Sequence, residues 1–150
     1  MRKKIVFFHP YSLYGGADLS ISKLIDITPD EYEIDFVTFS KNPKIKFYTK
    51  RKMKIKRIKK INFVSSIFRL RKLLKNEFKT FDKIILLSNQ NFANIMALIS
   101  SLDLKKVKNV SFERNHISEF DHSDEWITFS KNIIIKFLIK ALYRLSLIHI

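Results

Sequence analysis

Short apolar runs that alternate with helically spaced apolar residues constrain the fold of this chain more than any other feature. Runs rich in β-branched and aromatic residues begin at Ile5, Ile34, Ile84 and Val107. Such runs are typical of strands buried on both faces, and the intervening periodicity is typical of helices. Strands that alternate with helices form right-handed βαβ units. The sequence therefore predicts an α/β fold, a Rossmann-like open parallel sheet with helices on both faces.

The individual elements follow from the same patterns. The predicted strands are 5–8, 34–39, 84–87 and 107–112, and the predicted helices contain Leu19 to Ile25, Phe63 to Phe78 and Phe92 to Leu102. Around Ile55 apolar residues alternate loosely with Lys and Arg, which indicates either a short edge strand or an extended basic connection. Thr28 and Pro29 end the first helix, and Asn91 is expected to cap the third.

Length limits the number of domains. A chain of 150 residues buries one core and is too short for two ordinary domains, so we expect a single domain over 1–150. The segment 133–145 is apolar nearly all round, and the chain stops inside the next apolar run, 147–150. Two interpretations stay open: the chain is truncated, or its C-terminus docks into the core.

Targeting signals are weak. The apolar run after Lys4 is stopped by His9 and Pro10, too early for a signal peptide, and no uncharged apolar stretch is long enough to span a membrane. Cys is absent, which excludes disulfides and thiolate zinc sites. We expect a cytoplasmic protein.

The net charge of +15 is concentrated in one block. Between Lys41 and Lys79 lie 16 of the 29 basic residues and a single acid, Glu77. A basic block of this kind is a candidate surface for anionic lipid headgroups or nucleic acid. Lys accumulated in a solvated segment explains it equally well.

The loop 10–17 holds both glycines of the protein, Gly15 and Gly16. Ligands of open α/β sheets bind outside the carboxyl ends of the strands, where residues without Cβ let backbone N–H groups approach phosphate oxygens. A tight turn that needs positive φ is the alternative. Neither G-x-G-x-x-G nor a P-loop is present, so no dinucleotide or other cofactor is indicated.

Two other polar segments follow predicted strands. Asn89 and Gln90 come after Leu87, and their amides suit sugar hydroxyls. Arg114, Asn115 and His116 come after Phe112, where a guanidinium suits phosphate and an imidazole suits proton exchange. Ordinary polar loops are the alternative. A lone His122 among carboxylates is weak for zinc, so no metal site is predicted.

These motifs together resemble the opening of family-4 glycosyltransferases. The resemblance rests on the strand at 4–8, the loop Gly15-Gly16-Ala17-Asp18, the strand at 34–38 and the segment 110–115, with Leu142-Tyr143-Arg144 similar to a later helix end. It implies the acceptor-binding N-terminal half of a two-domain GT-B enzyme, which transfers a sugar from a nucleotide-sugar donor to a glycan or lipid-linked acceptor. The C-terminal donor domain is missing from the sequence, so we expect no turnover from this chain alone.

The resemblance also implies roles for single residues. Gly15 and Gly16 would approach the donor diphosphate, while Asn115, Arg114 and His116 would line the acceptor side; Asn89 and Gln90 join that side on their chemistry. The 41–79 block would hold the domain on the inner face of an anionic membrane. A basic binding module for membrane or nucleic acid is the alternative. Nucleic acid is the weaker partner, because Phe47, Tyr48 and Phe63 fall at core-like positions.

Overall fold

A computed structural model describes residues 1–12, 15–60, 62–77 and 79–112 of the chain. Strands and helices alternate there as the sequence predicts. In chain order the elements are β1 (Lys3–Phe8), α1 (Gly16–Asp26), β2 (Tyr32–Thr38), a short 3-10 helix (Lys44–Phe47), β3 (Lys54–Arg57), α2 (Phe63–Glu77), β4 (Lys83–Asn89), α3 (Asn91–Ser101) and β5 (Val107–Phe112). The apolar segments predicted at 133–145 and 147–150 lie outside the described residues.

The strands of the described chain form one open parallel sheet in the order β3-β2-β1-β4-β5. Ile5 of β1 pairs with Ile34 of β2 on one side and with Ile85 of β4 on the other. From β1 the chain first builds outward to β3 and then crosses back to build β4 and β5. The predicted Rossmann-like sheet is confirmed, and the segment around Ile55 is the edge strand rather than an extended connection.

Helices cover both faces of the sheet, as predicted. On one face α1 packs over β1 and β2, with a core that includes Phe7, Ile21, Ile25, Phe36 and Ile45. On the other face α2 and α3 cover a larger core that includes Val6, Phe8, Leu70, Leu74, Leu86 and Met96. Successive side chains of β1 therefore enter different cores, which is why its sequence is apolar without interruption from Ile5 to Phe8.

A buried network of four charges ties three strands to the end of α2. Lys4 of β1 donates hydrogen bonds to Asp35 (2.9 Å) and Glu77 (2.6 Å). Lys56 of β3 contacts the same two carboxylates, with its Nζ 2.7 Å from Asp35. The two positive and two negative charges balance, so no charge of the network is buried without an opposite partner.

Two expectations about buried positions are wrong. Leu19 was expected on the apolar side of the first helix, but it is exposed and Asp18 is buried in its place. Phe47 was expected at a core-like position, yet it is 73% exposed and packs beside Lys44 at the surface. In both cases the short elements lie at angles that the spacing of apolar residues does not determine.

Candidate functional site

The candidate site lies at the carboxyl edge of the sheet, between β1 and β4. The chain leaves β1 toward α1 on one face and leaves β4 toward α3 on the other, so the two loops diverge there. Ligands of open α/β sheets bind in the crevice that opens at such a reversal of strand order. The loops at this point contain the predicted residues Gly15 and Gly16 after β1, and Asn89 and Gln90 at the end of β4.

A buried polar cluster supports the loop that follows β1. The hydroxyl of Ser12 donates a 2.6 Å hydrogen bond to Oδ1 of Asp18 and accepts one of 3.0 Å from the backbone N–H of Ile45. The Nε2 atom of His9 lies 3.6 Å from the same carboxylate oxygen. Its ring packs edge-on against Phe36 at 6.2 Å between centroids. The cluster joins the end of β1 and Ser12 to the first turn of α1.

Gly15 and Gly16 stand at the N-terminus of α1 and place no side chain there. Gly15 has φ 179° and ψ 172°, an extended backbone that any residue adopts, and Gly16 has no positive φ. A Cβ atom added at either position meets no atom within 4 Å. The tight turn with positive φ is therefore wrong as an explanation of these glycines. Neither backbone strain nor packing requires them, and they add no side chain of their own beside the first N–H groups of the helix.

Asn89 ends β4 with a side chain that is almost fully buried, at 1% exposure. Neither its amide nitrogen nor its amide oxygen has a hydrogen-bond partner among the described residues. Ser88 bonds to Asn94 of α3, so the alternation of the strand turns Asn89 toward the face that α1 covers. An unsatisfied buried amide costs about 1–3 kcal/mol. Asn89 is therefore a candidate for a contact beyond those of the described residues.

Gln90 holds a strained backbone at the next position. Its φ of 86° and ψ of 143° lie in a region that residues with a Cβ rarely adopt. The strain costs about 1–3 kcal/mol and frequently marks functional sites. Gln90 also precedes α3, where its carbonyl accepts a 2.9 Å hydrogen bond from the backbone of Asn94. At this strained residue the chain changes direction between the end of β4 and the start of α3.

The structure brings together four of the seven predicted site residues. Gly15, Gly16, Asn89 and Gln90 all lie at the carboxyl edge. The other three, Arg114, Asn115 and His116, lie outside the described residues; β5, which precedes them, ends at Phe112 on this same edge. The expected cap by Asn91 is wrong, since Gln90 occupies the N-cap of α3 and the Asn91 amide oxygen has no partner among the described residues.

Sequence reasoning missed His9, Ser12 and Asp18 as members of the site. The signal was present, because His9 directly follows a fully apolar strand and polar residues at that point lie at the carboxyl edge. The apolar periodicity of α1 predicts that Leu19 is buried, and it gives no reason to expect a buried Asp18.

The described part of the chain contains no group of three His, Asp or Glu side chains placed to hold a metal ion. Within the same residues, no helix is long and apolar enough to cross a membrane.

No protein-family model and no curated protein matches this sequence.

Proposed function

We propose that this domain is the acceptor-binding half of a GT-B glycosyltransferase, which transfers a sugar from a nucleotide-sugar donor to a glycan or lipid-linked acceptor. One observation carries the proposal: the buried amide of Asn89, without a partner among the described residues, lies at the same sheet edge at which α1 begins. Sugars and diphosphates are the ligands that these two groups suit.

The amide of Asn89 matches the chemistry of a sugar. It offers two N–H donors and one oxygen acceptor, and a sugar hydroxyl both donates and accepts. The amide is 1% exposed, so a sugar hydroxyl reaches it only when the residues that cover it move; the hydroxyl then replaces the missing partners. Because the amide is already desolvated, the bound state gains the hydrogen bonds without a further cost of burying that group.

The N-terminus of α1 matches a diphosphate. Its first N–H groups have no intrahelical acceptor, and the helix dipole adds a partial positive charge there. Asp18, in the first turn of α1, is buried and accepts a hydrogen bond from Ser12. The proposal places the diphosphate at Gly15 and Gly16, the first positions of α1, where no side chain of these two residues intervenes.

Isotope-labelled protein and NMR titration test both assignments. Octyl glycosides below their micelle concentration serve as acceptor probes, and UDP and inorganic pyrophosphate serve as diphosphate probes. We expect glycosides to shift the side-chain amide resonances of Asn89, and pyrophosphate to shift the backbone amides of Gly15 and Gly16. Resonances that stay in place with all probes at about 10 mM, a concentration that detects even very weak binding, would contradict the proposal.

The enzyme activity itself needs a donor-binding domain. We expect the 150-residue chain to bind acceptor probes without turnover. DNA that follows the codon for Ile150, translated in three frames, is expected to encode a second Rossmann-like domain. Unrelated sequence in all three frames would remove the enzyme from the proposal and leave a binding domain.

A further inference from the structure

The groove between α2 and β3 is lined by five cations, of which one, Lys56, belongs to the buried network and four do not. Its volume is about 390 Å³, and its walls include Arg57, Lys59, Arg69 and Lys72. All four side chains belong to exposed residues. Within the described chain none of the four makes an ion pair or a hydrogen bond. The groove therefore carries an uncompensated positive charge.

The one acid in the groove does not neutralise these cations. Glu77 is bonded to Lys4 at 2.6 Å and also contacts Lys56, so its charge is used inside the buried network. Arg71, on the other side of α2, is likewise engaged, since it donates to the backbone carbonyl of Leu102 at 2.6 Å. Lys56 and Arg71 therefore have structural partners, whereas the other four cations face solvent in the groove.

Exposed apolar side chains lie on α2 beside the groove. Val64 is 59% exposed and Phe68 is 65% exposed. With Lys72 they form a row at i, i+4 and i+8, which is one continuous strip of the helix surface. Large apolar side chains in such a row favour transfer out of water.

This surface adjoins the carboxyl edge of the sheet. The helix α2 follows β3 and precedes β4, so its first turns, with Val64 and Phe68, lie at the edge where the strands end. There the rings of Phe63 and Phe92 meet at 5.0 Å, which connects the start of α2 to the start of α3.

We propose that these residues form a docking surface for an anionic lipid bilayer, named here the α2 surface: Arg57, Lys59, Val64, Phe68, Arg69 and Lys72. The apolar pair enters the boundary between headgroups and acyl chains, while the cations contact lipid phosphates. In an anionic bilayer an apolar layer lies directly beneath the lipid phosphates, which matches apolar side chains that lie beside cations. A nucleic acid offers phosphates to the cations but no apolar layer to an aliphatic side chain such as Val64.

The proposal stands apart from the proposed function, because it needs no sugar and no catalysis. If the glycosyltransferase assignment holds as well, docking brings the carboxyl edge toward the membrane, where a lipid-linked acceptor is found.

Vesicle sedimentation with the full chain tests the role of the cations. We expect binding to vesicles of phosphatidylcholine with phosphatidylglycerol, and none to phosphatidylcholine alone. Each cation at the surface contributes about fivefold to partitioning. The variant Arg57→Gln, Lys59→Gln, Arg69→Gln, Lys72→Gln is therefore expected to lose at least about a hundredfold. The matched control removes four exposed lysines elsewhere, Lys23, Lys79, Lys105 and Lys108, by the same change to Gln.

The control variant is expected to lose much less, because it alters only the long-range field. Equal losses in the two variants would overturn the proposal. All eight positions are exposed, so the folded state tolerates the changes, and circular dichroism verifies this.

A second pair of variants tests the apolar row. The variant Val64→Ser, Phe68→Ser is expected to bind normally at low salt and to dissociate at a salt concentration that the parent protein resists. Ile27→Ser is its control, since Ile27 is 74% exposed at the far end of α1. Identical salt resistance in both variants would show that no apolar insertion occurs.

Competition separates the bilayer from nucleic acid. Anionic vesicles are expected to bind the protein in the presence of excess duplex oligonucleotide, and displacement by the oligonucleotide would overturn the assignment. Asn89→Leu, which tests the proposed function, is expected to leave vesicle binding unchanged, so the two proposals fail separately.

Discussion

Ser12 and Asp18 join the loop after β1 to the first turn of α1 through a buried 2.6 Å hydrogen bond. The same hydroxyl accepts a hydrogen bond from the backbone of Ile45, so three separate segments meet at one side-chain oxygen. Ser12 is thereby fixed against both the first turn of α1 and the short 3-10 helix.

Ser12→Ala is expected to lower the free energy of unfolding by about 1–3 kcal/mol, because it leaves the buried carboxylate of Asp18 and the N–H of Ile45 without this partner. Urea denaturation measures the change. Ser20→Ala is the matched control, since the Ser20 hydroxyl bonds to the carbonyl of Gly16 at the surface. We expect the control to change stability by less than about 0.5 kcal/mol. A smaller loss in Ser12→Ala than in the control would contradict the structural role.

Asn89→Leu is expected to raise the free energy of unfolding by about 1 kcal/mol, because it replaces a buried amide that has no described partner with an apolar side chain. It is also expected to abolish the response to octyl glycosides. Asn94→Leu is the control. Asn94 is an equally buried amide, but it bonds to Ser88 at 2.8 Å and to the carbonyl of Phe112 at 3.0 Å. We expect that variant to be destabilised by about 1–3 kcal/mol. Loss of stability in both variants would argue against a ligand role for Asn89.

Gln90→Gly is expected to stabilise the protein by about 1 kcal/mol, because glycine adopts the φ of 86° without strain. Thermal and urea unfolding measure the gain. Gln90→Ala keeps the Cβ atom and therefore the strain, so it serves as the control and is expected to show no gain. Equal stabilities of the two variants would place the backbone of residue 90 outside the strained region.

Gly16→Ala is expected to leave the fold intact and to raise its stability by up to about 1 kcal/mol, because the added Cβ meets open space and alanine favours the helix. The same methyl group lies at the opening of α1, so we expect weaker binding of pyrophosphate in NMR titration. Ala17→Gly changes the neighbouring residue in the opposite sense and controls for altered helix propensity. Unchanged pyrophosphate binding in Gly16→Ala would remove the diphosphate from the site.

Acid is expected to destabilise the protein partly through Glu77. Burial raises the pKa of this carboxyl, but hydrogen bonds from Lys4 and Lys56 lower it by more. The pKa therefore lies below its ordinary value of 4.5. A carboxyl with a depressed pKa contributes stability above its unfolded pKa and loses it as the pH falls through the folded pKa. We expect the free energy of unfolding to fall from about pH 5 downward, less steeply in Glu77→Gln. Equal slopes in the two proteins would assign the acid sensitivity elsewhere.

Alkali is expected to act on the same network through Lys56. Burial lowers the pKa of the ammonium group, but hydrogen bonds to Asp35 and Glu77 raise it by more, so the pKa lies above 10.5. The resulting stability is complete below the unfolded pKa and is lost as the pH rises through the folded one. The network therefore stabilises the folded state between the acidic pH at which Glu77 is protonated and the alkaline pH at which Lys56 loses its proton.

The sequence by itself determined the succession of strands and helices along the chain and the open parallel sheet. Each element is recognisable from the spacing of apolar residues within its own segment. The sequence also placed Gly15, Gly16, Asn89 and Gln90 at strand ends, and strand ends of a parallel sheet share one edge. The amphipathic character of α2 was equally local: Ile67 and Leu70 are buried and Arg69 is exposed, as their spacing predicts.

Only the tertiary structure decided which distant polar groups meet. Lys4 and Asp35 interrupt apolar strands 31 residues apart, and the register of β1 against β2 brings them together. Asn89 and Asn94 are both buried amides, yet only Asn94 has side-chain partners among the described residues, because the packing of α3 brings it to Ser88 and to the carbonyl of Phe112. Partners of this kind depend on sheet register and helix packing, and these are properties of the assembled core rather than of any local segment.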